Sequence, residues 1–329
     1  MKNNIAVVAG GDSSEYVVSI ESAKLVAKVL DKDIYNVYTV IVKDTNWYVE
    51  CDDCHNIVIN KDDFSFVVKK QKIKFDCAFV MIHGTPGENG LLQGYFDTLK
   101  IPYTTPNTLA SAITFNKIFS KNYLKSFNIP LAEFFTLKKG DKIDIDKIIE
   151  KTGLPCFVKP NCGGSSFGIS KVKQKEELGQ AIQEAFKEDA EVLIEQFLDG
   201  RELTCGLVKT KKQSLIFPPT EIISKNEFFD YEAKYTKELA DEITPANISQ
   251  ELTLEVQTLS SKIYDIFQLN GIVRIDYIYS NNTIYFMEVN TVPGMSPASI
   301  VPQQVQAADL NLKNVFTLVI KDAIDRQKF

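Results

Sequence analysis

The stretch that decides the fold is "FVKPNCGGSSFG", Phe157 to Gly168. Lys159 closes a short apolar run, and four small residues follow, Gly163-Gly164-Ser165-Ser166. A Walker A loop places its lysine directly after the glycines and a helix next. Here the lysine precedes the glycines, and the "ISKV" that follows reads as a returning strand. The spacing predicts a glycine-rich β-hairpin loop. Small side chains let backbone N–H groups approach an anion, Ser165 and Ser166 add hydroxyl donors, and Lys159 adds a point charge. A mobile hairpin tip with no ligand has the same composition, so the loop alone leaves both readings open.

Around it the chain alternates strands and helices. "NIAVVAGG" near the start is a buried strand ending in a glycine turn, and "SSEYVVSIESAKLVAKVL" follows with helical spacing. That order opens an α/β domain. "FDCAFVMIHG" is a second buried strand ending at His83, with a short helix over "GLLQGYFDTL". The Pro- and Thr-rich 101–108 marks a boundary, so a first domain spans 1–105. A helix over 109–127 then leads to strands and helices flanking the glycine–serine loop, a second unit over 106–194. A third, 195–329, has strands near 202–208, 214–223, 271–280 and 283–291, covered by helices near 250–268 and 312–326.

At 329 residues the chain accommodates two or three such units. Its 44% hydrophobic and 24% charged content is that of a soluble globular protein. The net charge of −6 argues against a nucleic-acid partner, which needs a basic face. No window approaches a membrane span and the N-terminal apolar run is too short for a secretory signal, so a cytoplasmic protein with free thiols is expected. "CDDCH" (51–55) has the spacing of c-type haem attachment, but that chemistry needs export, and an exposed loop is the better reading.

A second constellation is "VRIDYIYSNNTIYFMEVNTVPG", two strands joined by an Asn-rich turn. Alternation puts Arg274 with Asp276 on one face, and Glu288 with Asn290 on one face. The four project together only if the connection is odd in length or a bulge interrupts the pairing. Two carboxylates and an amide are oxygen ligands that suit Mg²⁺. A polar strand face with one cross-strand ion pair is the alternative.

Six motifs in order carry a resemblance: "GGDSSEYVVS" (10–19), "HGTPGENGLLQG" (83–94), "FVKPNCGGSSFGISKV" (157–172), "VLIEQFLDGRELT" (192–204), "FFDYEAKY" (228–235) and "VRIDY" with "FMEVNTVPGMSPASIVP" (273–302). The chain resembles the ATP-grasp D-alanine–D-alanine ligases from end to end. The resemblance implies an α/β (α+β) three-domain ATP-grasp fold, with an N-terminal open α/β domain that binds the first D-alanine and two α+β domains gripping ATP. It implies that ATP phosphorylates one D-alanine, that the amine of a second attacks the acyl phosphate, and that the dipeptide serves peptidoglycan synthesis. ATP, two Mg²⁺ ions with Mn²⁺ as a substitute, D-alanine and a homodimer are the cofactors and partners it implies.

By motif, Lys117, Lys159 and Lys234 would contact phosphates, and Ser165 and Ser166 would cover them. Glu195 would face the adenine edge with backbone at Gln196 and Leu198. Glu202 would hold the ribose, and Phe157 and Met287 would wall the base. Asp276, Glu288 and Asn290 would bind the metal ions, with Glu288 bridging. Glu15 would pair with the first ammonium, with His83 close by. Arg274 and the Gly294 N–H would stabilise the oxyanion, and Ser299 would hold the second carboxylate. Glu15, Ser165 and Tyr235 would form a hydrogen-bonded trio.

Departures from the family pattern are Tyr16-Val17 in place of Arg-Glu, an oxidisable Cys162 beside the loop, and "SPAS" (296–299) where Thr-Ser-His-Ser is common. D-Lactate and D-serine acceptors remain alternatives within the family. Tyr235 argues for an amine acceptor and the apolar Ile300 for a methyl group. A non-catalytic nucleotide-binding protein would be expected to lack a metal ligand, and Asp276, Glu288 and Asn290 are all present.

Overall fold

The computed structural model describes residues 2–50, 56–163, 168–224 and 240–327. "CDDCH", Ser165, Ser166, Lys234 and Tyr235 lie outside the described residues.

The first sheet begins with β1 (Asn3–Gly10), followed by helix α1 (Tyr16–Val29). β2 (Tyr35–Lys43), β3 (Asn46–Glu50), β4 (Ile57–Val58), β5 (Ser65–Val68), β6 (Gln71–Lys74) and β7 (Cys77–Val80) come next. The sheet order is β4-β3-β2-β1-β7, with β5 and β6 a separate hairpin. β1 lies parallel to both β2 and β7 and is buried along its second half, which explains why it reads as one continuous apolar run. The strands between Tyr35 and Lys74 are short and broken by residues in the left-handed region, among them Asp44, Asn56, Phe64, Lys69 and Lys70, so they leave little periodicity in the sequence. α2 (Leu91–Leu99) follows β7.

The expected single helix over 109–127 is two helices, α3 (Thr108–Phe115) and α4 (Lys117–Lys125). Asn116 breaks it by adopting an extended conformation and capping α4, its side chain accepting from the Phe119 N–H. The second sheet, β10-β9-β11-β8, is antiparallel: β8 (Phe134–Lys138), β9 (Cys156–Pro160), β10 (Ser170–Val172) and β11 (Glu191–Gln196). α5 (Ile145–Thr152) and α6 (Lys175–Glu188) pack on it around Val158, Ile182 and Ile194. Ser170 pairs with Val158, so the glycine–serine loop joins adjacent antiparallel strands, as its spacing predicts.

The third sheet runs β15-β14-β12-β16-β17, with β13 on β12. Its strands are β12 (Arg201–Lys209), β13 (Ser214–Ile216), β14 (Thr220–Ser224), β15 (Ala240–Ile243), β16 (Ile272–Ser280) and β17 (Thr283–Asn290). The expected strand 214–223 is two strands parted at Pro218-Pro219, since proline cannot donate to a ladder. α7 (Gln250–Ile266) covers this sheet through Val256 and Ile263. α8 (Ile300–Ala307), absent from the sequence reading, presents Ser299 as its N-cap residue. α9 (Leu312–Arg326) departs from expectation: it packs on the first sheet, not the third, with Phe316 meeting Phe79 edge-on at 5.3 Å. A helix's apolar stripe is legible in its sequence, but which sheet needs covering is not.

Candidate active site

β16 and β17 supply the centre of the site. Asn281 and Asn282, both in the left-handed region, form a two-residue turn with Ser280 paired to Thr283. Such a turn alone would put Asp276 and Glu288 on opposite faces. A β-bulge prevents this. Tyr277 pairs with Phe286, then Asp276 pairs with Glu288 and Arg274 with Asn290, leaving Met287 as the extra residue. The required interruption is present, and all four polar side chains share one face.

They are held tightly. Arg274 donates two hydrogen bonds of 2.9 Å to Asp276, Nε to Oδ1 and Nη2 to Oδ2. Asn290 Nδ2 donates to the same carboxylate at 2.8 Å, and the Thr204 hydroxyl, opposite Asp276 on β12, donates as well. Burial opposes the Arg274 cation, but Asp276, with Glu288 and Glu242 adding, holds its pKa above the ordinary range. Among the described residues no three His, Cys, Asp or Glu side chains converge as a metal cage. Two carboxylates and an amide on one face instead fit a Mg²⁺ ion that keeps waters and substrate phosphates as its other ligands.

Lys117, the first residue of α4, donates from Nζ to the Gly163 carbonyl at 2.8 Å and lies 3.7 Å from Glu288. In the second sheet Lys159 (β9) lies 2.7 Å from Glu195 (β11). Phe157 pairs with Glu195 across the two strands. A residue not anticipated from sequence completes this cluster: Lys121 lies 2.5 Å from the other Glu195 oxygen. Burial raises the Glu195 carboxyl, but Lys121 and Lys159 overcome it and bring it down to about 2. Gln196 is an exposed strand end, Leu198 and Met287 are half-buried, and Glu202 pairs with Ile278 on β16.

A cavity of about 960 Å³ joins these elements to the first sheet. Glu15, His83, Lys117, Arg274, Glu288, Asn290, Gly294, Ser299 and Ile300 all line it. Phe157, Lys159, Glu195, Gln196, Leu198, Glu202, Asp276 and Met287 are not among its lining residues. Glu15 is the residue before α1 and makes no side-chain cap. His83 is 5% exposed. Its Nδ1 lies 2.6 Å from the Val292 carbonyl and must carry the proton, while Nε2, 3.4 Å from Ser22 Oγ, is the acceptor. Burial lowers its pKa, with Arg274 acting the same way and Glu15 opposing. The imidazole is therefore neutral.

Glu88, in the "HGTPGENG" motif, is a second residue not anticipated from sequence. Its carboxylate accepts from the N–H groups of Gly84, Thr291 and Val292, each at 2.9 Å, and from the Thr291 hydroxyl. It thereby ties the His83 loop to the chain after β17. Burial pushes this carboxyl up to about 7, with Glu15 adding and the donors opposing. Ser299 Oγ accepts from the Ser296 N–H at 3.0 Å and lies 2.8 Å from Ser296 Oγ. A Cβ on Gly294 would come to 2.8 Å from Ser299 Oγ, so a side chain there would displace that hydroxyl. Tyr16 takes the Lys43 ammonium over its ring at 5.4 Å, and Val17 is 69% exposed at the cavity rim. Cys162 is held as a thiol, pushed up to about 11 by burial and by Asp189, which argues against ready oxidation.

The model of the D-ala D-ala ligase N-terminus matches residues 4–106, and that of the D-ala D-ala ligase C-terminus matches residues 123–321. A D-alanine--D-alanine ligase of Bacteroides fragilis (strain YCH46) is 50% identical over 323 residues, covering 98% of this chain and 99% of the relative. The crystal structure of D-alanyl-alanine synthetase A from Vibrio cholerae superposes with a TM-score of 0.88 at 28% identity, covering 98% and 99% of the two chains. The VanG D-Ala:D-Ser ligase from Enterococcus faecalis superposes with a TM-score of 0.85 at 30% identity, covering 99% and 100%. With both halves of the chain matched, a relative 50% identical over nearly its whole length and the ATP-grasp architecture in place, the chain belongs to the D-alanine–D-alanine ligase family.

Proposed function

We propose that this protein joins two D-alanines into D-alanyl-D-alanine at the expense of ATP, supplying a peptidoglycan precursor in the cytoplasm. The observation that carries it is the single cavity in which Glu15 and His83 from one end meet Arg274, Glu288 and Asn290 from the sheet and Ser299 from α8. An anionic group for a first ammonium, cationic side chains and a helix N-terminus for a second carboxylate thus border one space.

In this reading the first D-alanine sits by Glu15 with its carboxylate toward Lys117 and Arg274. That carboxylate oxygen attacks the γ-phosphorus, the bond to ADP breaks, and an acyl phosphate forms. The amine of the second D-alanine, held at Ser299, attacks the acyl carbon, loses a proton, and the phosphate leaves with the original carboxylate oxygen. Arg274 and the Gly294 N–H face the developing oxyanion. Asp276, Glu288 and Asn290 would hold two Mg²⁺ ions, replaceable by Mn²⁺. Bound there, the ions would neutralise charge between the β- and γ-phosphates. Lys159, Glu195, Gln196, Leu198, Glu202, Phe157 and Met287 take the nucleotide. Ser165, Ser166, Lys234 and Tyr235 take the phosphate-covering and site-closing roles that the resemblance implies. The three units 1–105, 106–194 and 195–329 and a homodimer complete the proposal. Ile300 is 6% exposed and lines the cavity beside Ser299, which favours a methyl-bearing acceptor over a hydroxymethyl one.

The test mixes the protein with ATP, Mg²⁺ and D-alanine, adds D-serine or D-lactate in competition, and identifies products by mass. D-Alanyl-D-alanine as the main product supports the reading. A predominant mixed product moves the chain to a different acceptor, and absence of phosphate release with every acceptor refutes ligase activity.

A further inference from the structure

The nucleotide side of the cleft contains a buried charge that the proposed chemistry does not use. Lys121 lies on α4 one turn beyond Lys117, and its side chain is 1% exposed. Its ammonium is 2.5 Å from Glu195 Oε1, 3.5 Å from the Phe286 carbonyl and 5.8 Å from the Phe286 ring centroid. Glu195 is 2% exposed, and its other oxygen is 2.7 Å from Lys159. Two lysines thus share one buried carboxylate; burial works against the Lys121 cation and Lys159 acts the same way, while Glu195 and, more weakly, Glu288 oppose them. Burying an ion is costly unless it is paired, so the arrangement needs a reason.

The two lysines differ in access. Lys159 keeps 11% of its side-chain surface, whereas Lys121 keeps almost none and, among the described residues, meets Glu195, the Phe286 carbonyl and the face of the Phe286 ring. We infer that Lys121 is a positioning residue for nucleotide recognition: it anchors the Glu195 carboxylate permanently, so that Lys159 can leave for the phosphates while Glu195 stays oriented toward the exocyclic amine of the base. Without Lys121, Lys159 would be the only counter-charge of a buried carboxylate. It could then serve the phosphates only by stranding Glu195, which would take up a proton and lose its preference for an amine donor. This inference rests on the reading that places Glu195 at the adenine edge.

The test compares kcat/KM for ATP and for inosine triphosphate, which carries a carbonyl oxygen in place of the amine, in the full-length protein with D-alanine saturating. Wild type is expected to favour ATP by roughly tenfold or more, the size of a hydrogen bond to a charged group. Lys121→Met is expected to bring that ratio to within about threefold while leaving KM for D-alanine unchanged. Glu195→Gln lowers the ratio too, and adding Lys121→Met to it moves the ratio no further, because the residue acts through Glu195. The double variant strands no carboxylate, so it keeps the test open if Lys121→Met alone is too unstable to assay. A wild-type ratio near one removes Glu195 from the adenine edge and the inference with it. A high wild-type ratio that survives Lys121→Met, or that falls further in the double variant than in Glu195→Gln, overturns the role of Lys121 alone.

Discussion

Replacing Asp276 with asparagine tests the centre of the site through stability as well as catalysis. Asp276 accepts two hydrogen bonds from Arg274, one from Asn290 and one from Thr204, and the Arg274 and Asp276 side chains are only 20% and 11% exposed. Asparagine keeps the shape but removes the charge and turns one acceptor into a donor. The Arg274 guanidinium is then left in the interior without its counter-charge. Breaking a buried pair from one side costs about 3–5 kcal/mol. Glu242 and Glu288 also act on Arg274, and its residual exposure admits some water, so the lower end, about 3 kcal/mol, is expected. In urea unfolding followed by tryptophan fluorescence and circular dichroism, this corresponds to a midpoint lowered by roughly 1 M. Arg274→Met combined with Asp276→Asn removes both charges and should recover to within about 1 kcal/mol of wild type, although ligase activity stays lost. A single Asp276→Asn variant whose midpoint lies within about 0.3 M of wild type would refute the reasoning, because Arg274 would not depend on that carboxylate.

Three further outcomes follow from neighbouring contacts. Glu195, depressed to about 2 against an ordinary 4.5, adds stability that is full above its unfolded pKa and is lost as pH falls toward 2. The stability gap between wild type and Glu195→Gln should therefore be flat above about pH 5 and shrink below it in acid titrations followed by circular dichroism. Glu88→Gln places an amide donor against one of its present donors, and should raise KM for D-alanine about tenfold with KM for ATP unchanged, as steady-state phosphate release would show. Gly294→Ala pushes a methyl into Ser299 Oγ and should weaken the second D-alanine more than the first, which separate KM values for the two sites would reveal.

Much of this site is legible in the sequence because chemistry constrains spacing. Arg274, Asp276, Glu288 and Asn290 can serve one face only if the strand pairing is interrupted, and Met287 is that interruption. The hairpin around the glycine–serine loop is equally legible, since Lys159 precedes the glycines and a strand follows them. Lys121 is not: a lysine on a helix normally reads as solvated, and its one-turn spacing from Lys117 was the available signal. Glu88 stands within the 83–94 motif, but its role depends on Thr291 and Val292, some two hundred residues away in sequence. The break at Asn116 is hidden because apolar periodicity continues through it, although an asparagine able to cap marks the place. The packing of α9 on the first sheet is a property of the assembled layers and leaves no local trace.

The most direct measurement follows an oxygen atom. D-Alanine labelled with ¹⁸O in its carboxylate is turned over with ATP and Mg²⁺, and the released phosphate is examined by mass spectrometry. Attack of the carboxylate on the γ-phosphorus followed by expulsion of phosphate carries one labelled oxygen into every phosphate formed alongside dipeptide. Labelled phosphate in step with D-alanyl-D-alanine is the predicted result, and dipeptide accompanied by unlabelled phosphate would contradict the acyl-phosphate route.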